Sequence, residues 1–131
     1  MAEVVYTAPV LDKLGVTPGA RVALINIDDQ EFRGRLAQRT QDITEGEPLA
    51  GSDLVFLGID DGSELRQLAS LRARIVTKGA IWVVMRKGRQ ATVRDIEVMA
   101  AGKAAGLIDN KVVAFSPTHT SIRLVIPIAL R

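Results

Sequence analysis

Three short runs of apolar residues, each followed at once by polar or turn-forming residues, set the pattern of this 131-residue chain. The runs cover residues 21–27, 53–59 and 80–85, and they lack the strict alternation of a half-buried strand. Continuous apolar runs of this length are typical of parallel strands that are covered on both faces. Three buried strands are therefore predicted, with further strands at residues 41–44, 111–115 and 121–128.

Helices are predicted before, between and after these runs. Residues 7–15 and 31–38 each predict a short helix. Leucines spaced three residues apart after Ser63, which is a candidate cap, predict a third helix that continues to about residue 75. A fourth is expected after Thr92, which has the spacing of a capping box with Asp95.

The order of these elements predicts an α/β fold in a single domain over residues 1–131. Strands that alternate with helices pair in parallel, and the helices pack on both faces of the sheet. Residues 116–120, which join the last two strands, are too few for a crossover helix. We therefore expect a mostly parallel sheet that ends in a C-terminal antiparallel hairpin.

Composition excludes several classes of protein. The chain has no cysteine, which rules out disulfides and thiolate chemistry. No apolar stretch approaches the ~18 residues that would span a bilayer, and residues 1–3 lack the basic start of a signal peptide. We therefore expect a cytoplasmic protein with no membrane partner.

Charge is distributed unevenly along the chain. Residues 1–76 carry 8 Lys/Arg and 12 Asp/Glu, giving −4, whereas residues 77–131 carry 9 and 3, giving +6. The basic half could face an anion, or it could face the acidic half of a second copy. Self-association into a dimer or larger assembly is therefore one expectation.

Polar residues follow the predicted strands. Because ligands in open α/β sheets bind outside the carboxyl ends of the strands, we expect a crevice there with acids on one side and bases on the other. Strand ends are polar in any case, since they become solvated turns, so ordinary turn residues are the alternative interpretation. The candidate ligand-binding residues are Asn26, Asp28, Asp60, Arg86, Lys87, Thr118 and His119.

The basic loop and the histidine in this set indicate which ligands the crevice could hold. The basic loop at residues 86–90 runs toward an expected helix N-terminus, which would suit a phosphate or carboxylate. A solvated basic turn is the alternative, because no P-loop spacing accompanies the charges. His119 is the one histidine, and a conventional zinc site lacks ligands in a chain without cysteine, so no metal is predicted.

Four features occur in a set order along the chain: Pro18-Gly19 before the first predicted strand, Thr77-Lys78-Gly79 before the third, Ala105-Gly106-Leu107, and the terminal hairpin. This order resembles a class I S-adenosylmethionine-dependent methyltransferase in miniature. In that family a glycine-rich loop after the first strand holds the cofactor, and an acid at the end of the second strand holds its ribose. Here the sequence Asn26-Ile27-Asp28-Asp29 replaces the loop, and Asp42 and Glu45 are the remaining candidates for the acid. The resemblance therefore implies the fold with its cofactor motif lost, and no cofactor is expected.

A second set of segments extends over nearly the whole chain: Lys13-Leu14-Gly15-Val16, Gly79-Ala80-Ile81-Trp82-Val83 with Lys87 beyond it, Ala105-Gly106-Leu107-Ile108-Asp109 with Lys111-Val112, and Ser121-Ile122-Arg123-Leu124-Val125. Their order and spacing resemble a bacterial family of short, uncharacterised Rossmann-like proteins that is known only as a domain of unknown function. That family implies a truncated Rossmann-like fold and no established activity.

Three functions remain open, and the sequence does not decide whether any chemistry occurs. The leading hypothesis is a non-catalytic binding or assembly module on a degenerate methyltransferase-like fold. The first alternative is an enzyme or binder of a small anionic ligand, with Arg86 and Lys87 on the anion and Asp28 or Asp60 as acid, base or metal contact. The second is a nucleic-acid accessory protein that acts through the basic half. It is disfavoured, because the chain has too few aromatic residues for base stacking.

Overall fold

The computed structural model describes residues 10–131. Residues 10–13 are helical, and Gly15 follows in the left-handed conformation (φ 75°) that commonly ends a helix. Leu11 and Leu14 of this segment are buried in the core. The start of this helix, which the sequence predicts at residues 7–9, lies outside the described residues.

Six strands form one mixed sheet in the order β2-β1-β3-β4-β6-β5. The four strands from β2 to β4 pair in parallel, and β6 is antiparallel to both β4 and β5. The prediction of a mostly parallel sheet with a C-terminal antiparallel hairpin is confirmed. The strands are β1 (Val22–Ile25), β2 (Ile43–Glu45), β3 (Ser52–Gly58), β4 (Ile75–Arg86), β5 (Ile108–Ala114) and β6 (His119–Val125).

Short helices connect the strands. The α-helices are α1 (Gln30–Arg39), α2 (Leu68–Arg72) and α3 (Asp95–Ala104). Three 3₁₀-helices cover Gly62–Gln67, Gly88–Gln90 and Ile128–Leu130. Within residues 10–131, no helix has the length and apolar character that crossing a membrane requires.

Apolar side chains cover both faces of the sheet. One face packs against the N-terminal helical segment and α1, through residues such as Leu14 and Leu36, and the other packs against α2 and α3. Trp82 of β4 is fully buried on the first face, where its Nε1 donates to the Leu14 carbonyl at 2.9 Å. Burial on both faces explains why the central strands read as continuous apolar runs.

The predicted helix after Ser63 is wrong in its form and its limits. The segment is a 3₁₀-helix followed by the short α2, and its cap is Asp61, whose Oδ1 accepts from the Ser63 N–H at 2.8 Å. Ile75 is not helical but begins β4, where it pairs with Ser52. The spacing of the leucines misled because a 3₁₀-helix also brings residues three apart onto one face.

The predicted capping box of Thr92 with Asp95 is also wrong. Helix α3 begins at Asp95, and Glu97 Oε2 accepts from the N–H of Arg94, the residue before the helix, at 2.8 Å. The Thr92 hydroxyl donates instead to the Asp60 carbonyl at 2.6 Å. Thr92 therefore ties this loop to the end of β3 rather than capping a helix.

Candidate functional site

A cleft of about 340 Å³ opens at the carboxyl ends of the parallel strands. Its walls come from the loop after β1, the ends of β3 and β4, and the turn between β5 and β6. Six of the seven residues that the sequence singles out line it, and Lys87 does not. The lining residues are Asn26, Ile27, Asp28, Asp29, Gly58, Ile59, Asp60, Val84, Arg86, Phe115, Thr118 and His119.

Asn26 fixes the loop that leaves β1. It has a positive φ of 57°, a conformation that asparagine tolerates better than most residues. Its Nδ2 donates to the Gly58 carbonyl at 3.1 Å, which joins the ends of β1 and β3. A Cβ on Gly58 would lie far inside van der Waals contact of the Asn26 carbonyl oxygen. The close approach of these two backbones therefore requires glycine at position 58.

Ile27, the next residue of this loop, attaches the loop to the core. Its side chain is buried and packs in the cluster that contains Phe32 and Phe115. Its carbonyl accepts from Arg33 Nη1 at 2.9 Å. Both the side chain and the carbonyl of Ile27 are therefore engaged within the protein at the place where a methyltransferase would have its glycine-rich loop.

Three carboxylates face the cleft. Asp28 is exposed, and Asp29 caps α1 by accepting from the Phe32 N–H at 3.0 Å. Asp60 follows β3, and its backbone N–H donates to Glu64 Oε1 at 2.8 Å while its carbonyl accepts from Thr92. The neighbouring Asp61 lies outside the cleft lining.

Arg86 is the cation that faces these acids. Its Nε lies 3.4 Å from Asp60 Oδ1, and both side chains are half exposed or more. Lys87 follows β4, and its backbone N–H donates to the Thr118 carbonyl at 3.1 Å. The lining holds three carboxylates against one guanidinium, so the cleft is acidic.

The turn between β5 and β6 closes one side of the cleft. Ser116 Oγ accepts from the backbone N–H groups of Thr118 and His119 at 3.3 and 3.1 Å. Thr118 Oγ1 lies 2.7 Å from His119 Nδ1. His119 begins β6 opposite Arg86, so the antiparallel pairing of β4 with β6 is what brings the histidine to the cleft.

The two acids considered for a ribose contact are both held in ion pairs. Arg21 Nε lies 3.0 Å from Asp42 Oδ2, and Arg33 forms an ion pair with Glu45. Glu45 ends β2 and Asp42 precedes it, so neither residue is among those that line the cleft. Within residues 10–131, no group of three or more histidine or carboxylate side chains is placed to hold a metal ion.

Several lining residues were missed from the sequence. Asp29 had a signal, because an aspartate just before a helical segment is a typical cap. Gly58 had one too, since glycine at a strand end often marks a close backbone approach. Nothing in the sequence indicated Phe115, because its position in the cleft depends on the order of β4, β6 and β5 in the sheet.

Ion pairs join many of the charged side chains in the first half of the chain. Among residues 10–131, six ion pairs lie within 4.0 Å, and five of them join arginines and carboxylates of the acidic first half. The sixth is Arg86 with Asp60, between the halves. Because each pair joins one positive and one negative charge, pairing leaves the net charge of the first half unchanged. Five of the eleven carboxylates in residues 10–76 lie outside these pairs.

Comparison with solved structures shows a methyltransferase-like fold. A putative methyltransferase from Thermoplasma acidophilum superposes with a TM-score of 0.67 at 8% identity, covering 93% of this chain and 76% of that one. A SAM-dependent methyltransferase from Aquifex aeolicus gives 0.66 at 13% identity, covering 92% and 89%. At these identities the similarity shows the fold alone.

The chain is shorter than several proteins that it resembles. It spans about half of the pyocyanin biosynthetic protein PhzM and of an O-methyltransferase from neocarzinostatin biosynthesis, at 53% and 52% of their lengths. No functionally curated protein shows significant similarity to its sequence. A family model described as a protein of unknown function, DUF3052, matches residues 11–128. The chain therefore belongs to the DUF3052 family, as the resemblance in its sequence indicated.

Proposed function

We propose that this protein is a non-catalytic binding module whose strand-end cleft holds a small ligand with cationic or hydrogen-bond-donating groups. One observation carries the proposal: the cleft is lined by three carboxylates and one guanidinium, and that guanidinium lies against Asp60. A ligand with a positive group would offset the remaining negative charge.

The size and the walls of the cleft suit a small molecule. Its volume of about 340 Å³ lies at the lower end of the range for ligand pockets, roughly 300–1,000 Å³. Ile59, Val84 and Phe115 supply buried apolar wall, while the carboxylates supply polar groups that would orient the ligand. This combination is typical of small-molecule sites.

An anionic ligand is less well supported. Lys87, one of the two cations expected to hold it, does not line the cleft, and the other, Arg86, faces Asp60. At the helix N-terminus expected to bind the anion, the carboxylate of Glu97 accepts from the Arg94 N–H. These contacts leave few donors for a phosphate or carboxylate.

Methyl transfer is not part of the proposed function, because the loop after β1 lacks the glycines of a cofactor loop. In place of a glycine-rich loop, Asn26 holds the ends of β1 and β3 together and Ile27 packs into the core. Glu45, at the end of β2, is paired with Arg33. S-adenosylmethionine nevertheless belongs in a ligand screen, because it is a small cationic molecule and the similar structures include SAM-dependent methyltransferases.

Thermal-shift measurements test this proposal. We expect spermidine or S-adenosylmethionine to raise the melting temperature, and ATP and inorganic phosphate to leave it unchanged. The variant Asp28→Asn should abolish the shift, because it removes an exposed carboxylate from the cleft. The matched control is Asp109→Asn, which removes one negative charge from β5, outside the cleft.

The control defines the outcomes that contradict the proposal. Equal loss of the shift in both variants would mean that the cation responds to net charge rather than to the cleft. A shift with ATP or phosphate that disappears in Arg86→Gln would establish an anion site instead. Transfer of the S-adenosylmethionine methyl group to an added acceptor would contradict the non-catalytic part.

A further inference from the structure

Strand β5 forms one outer edge of the sheet. Within residues 10–131, no strand pairs with its far side. The Phe115 N–H donates to the His119 carbonyl at 3.1 Å, which fixes the direction of the backbone groups in this hairpin. Because these directions alternate along a strand, Val113 bonds toward β6 and the N–H and C=O groups of Val112 point away from it. The edge therefore presents a row of main-chain donors and acceptors.

Exposed apolar side chains concentrate around this edge. The structure has seven large exposed ones among residues 10–131, and five of them lie on β5, on α3, which packs against β5, or in the 3₁₀-helix after β6. Val112 is 58% exposed. Ile108 pairs with Val125 at the end of β6, just before that 3₁₀-helix. The five are Ile96, Ile108, Val112, Ile128 and Leu130.

Cations cluster on one face of the same edge. Lys111 pairs directly across from Arg123, and its Nζ donates to the backbone carbonyl of Lys13 at 2.8 Å, which places the Lys13 backbone beside it. None of these three cations has a carboxylate of residues 10–131 within 4.0 Å. The opposite edge differs, because β2 is only three residues long and is flanked by ion pairs at Asp42 and Glu45.

We propose that the β5 edge binds an extended, acidic segment of another protein, which adds to the sheet as a further strand. Main-chain hydrogen bonds to the outer side of β5 would supply affinity, as in other cases of strand addition. Carboxylates in the segment would face Lys111 and Arg123, and its apolar side chains would cover Val112. The edge is thus an interaction surface that is separate from the cleft.

The features of the edge favour this partner over a second copy of the chain. Two copies paired through β5 would place their lysines and arginines near the same axis, where like charges repel. An irregularity in register between Asp109 and Lys111 also interrupts the strand. A lysine and a bulge are devices that prevent edge strands from pairing with one another. Lys111 attracts an acidic strand, whereas it repels the same lysine of a second copy.

Nuclear magnetic resonance of the isotope-labelled full chain tests the proposal with a defined probe. The probe is a capped peptide of alternating glutamate and valine, matched in length to the seven residues of β5. We expect the amide signals of β5 to shift and the Val112 N–H to exchange more slowly. The matched peptide with lysine in place of glutamate should bind at least about tenfold more weakly, because it loses its charge-assisted contacts.

A charge-reversal pair of variants completes the test. Lys111→Glu should weaken binding of the glutamate peptide by about tenfold or more. Arg66→Glu makes the same change in net charge on the 3₁₀-helix Gly62–Gln67, and binding should remain within about twofold of the original. Since both positions are exposed, both variants are expected to fold.

Three results would overturn the proposal. The first is no shift of β5 amides at the highest soluble concentration of the glutamate peptide. The second is equal weakening by both charge-reversal variants, which would show an effect of net charge alone. The third is a protected Val112 N–H in the absence of peptide together with a dimer in sedimentation, which would assign the edge to a second copy.

Discussion

Asn26 and Gly58 meet where β1 and β3 end, and the contact between them shapes the cleft. The left-handed backbone of Asn26 turns the chain, and its side-chain amide bonds to the Gly58 carbonyl. Any Cβ at position 58 would collide with the Asn26 carbonyl, which is backbone and cannot rotate away. Two residues thus hold the β1 loop in place of a glycine-rich turn.

Gly58→Ala tests that contact. We expect it to lower the free energy of unfolding by about 1–3 kcal/mol, because the clash forces the two strand ends apart. Urea denaturation followed by fluorescence measures the change. Gly34→Ala is the control: position 34 lies within α1 with nothing within 4 Å of a new Cβ, so helix propensity should stabilise the protein by up to about 1 kcal/mol. Equal stability of both variants would contradict the role given to Gly58.

The positions of several cleft residues could be predicted from the sequence, but their contacts could not. Asn26 and Asp60 were predicted at the cleft because they follow apolar strands, and the structure places them there. The role of Asn26 could not be predicted from the sequence, because its hydrogen bond to Gly58 joins positions 32 residues apart. Lys87 follows β4 as Arg86 does, yet only Arg86 lines the cleft.

The 3₁₀-helix Gly62–Gln67 depends on its first cap. Asp61 accepts from the Ser63 backbone N–H, and Glu64 returns a bond to the Asp61 N–H at 2.9 Å. The hydrogen bonds from the Ser63 backbone and side chain lower the pKa of Asp61 below its ordinary value, with a smaller contribution from Arg66. The ionised carboxylate is therefore the form that stabilises this element.

This cap predicts a dependence on pH. A carboxyl whose pKa falls on folding stabilises the protein above its unfolded pKa of about 3.9, and that stability is lost as the pH falls through the lower folded value. Asp61→Ala should therefore cost more stability at neutral pH than in acid below the folded pKa. Urea denaturation of both proteins at the two pH values measures this. An equal cost at both would mean that ionisation of Asp61 does not matter.

Among the elements, strands were easier to predict than helices. Both faces of β1, β3 and β4 are buried, so their residues had to be apolar, and that left a clear pattern. The helices are short, and their ends are set by contacts from elsewhere, as when Thr92 bonds to the carbonyl of Asp60 instead of capping α3. Such contacts between distant segments leave no local signal.

At the scale of the whole molecule, the two proposed sites use different parts of one sheet. The cleft lies at the carboxyl ends of the parallel strands, whereas the β5 edge lies at the side of the antiparallel hairpin. The variant that tests the cleft changes Asp28 and the variant that tests the edge changes Lys111, and neither residue belongs to the other site. A failure at the cleft therefore leaves the edge proposal intact, and the reverse also holds.

Trp82 gives the protein a built-in optical reporter. It is the one tryptophan of the chain, it is fully buried, and its indole is bonded to Leu14 in a segment 68 residues away. It lies in β4, the strand where parallel pairing on one side meets antiparallel pairing on the other. Loss of either half of the sheet would expose the indole to water and move its emission to longer wavelength. Intrinsic fluorescence can therefore follow unfolding without any added label.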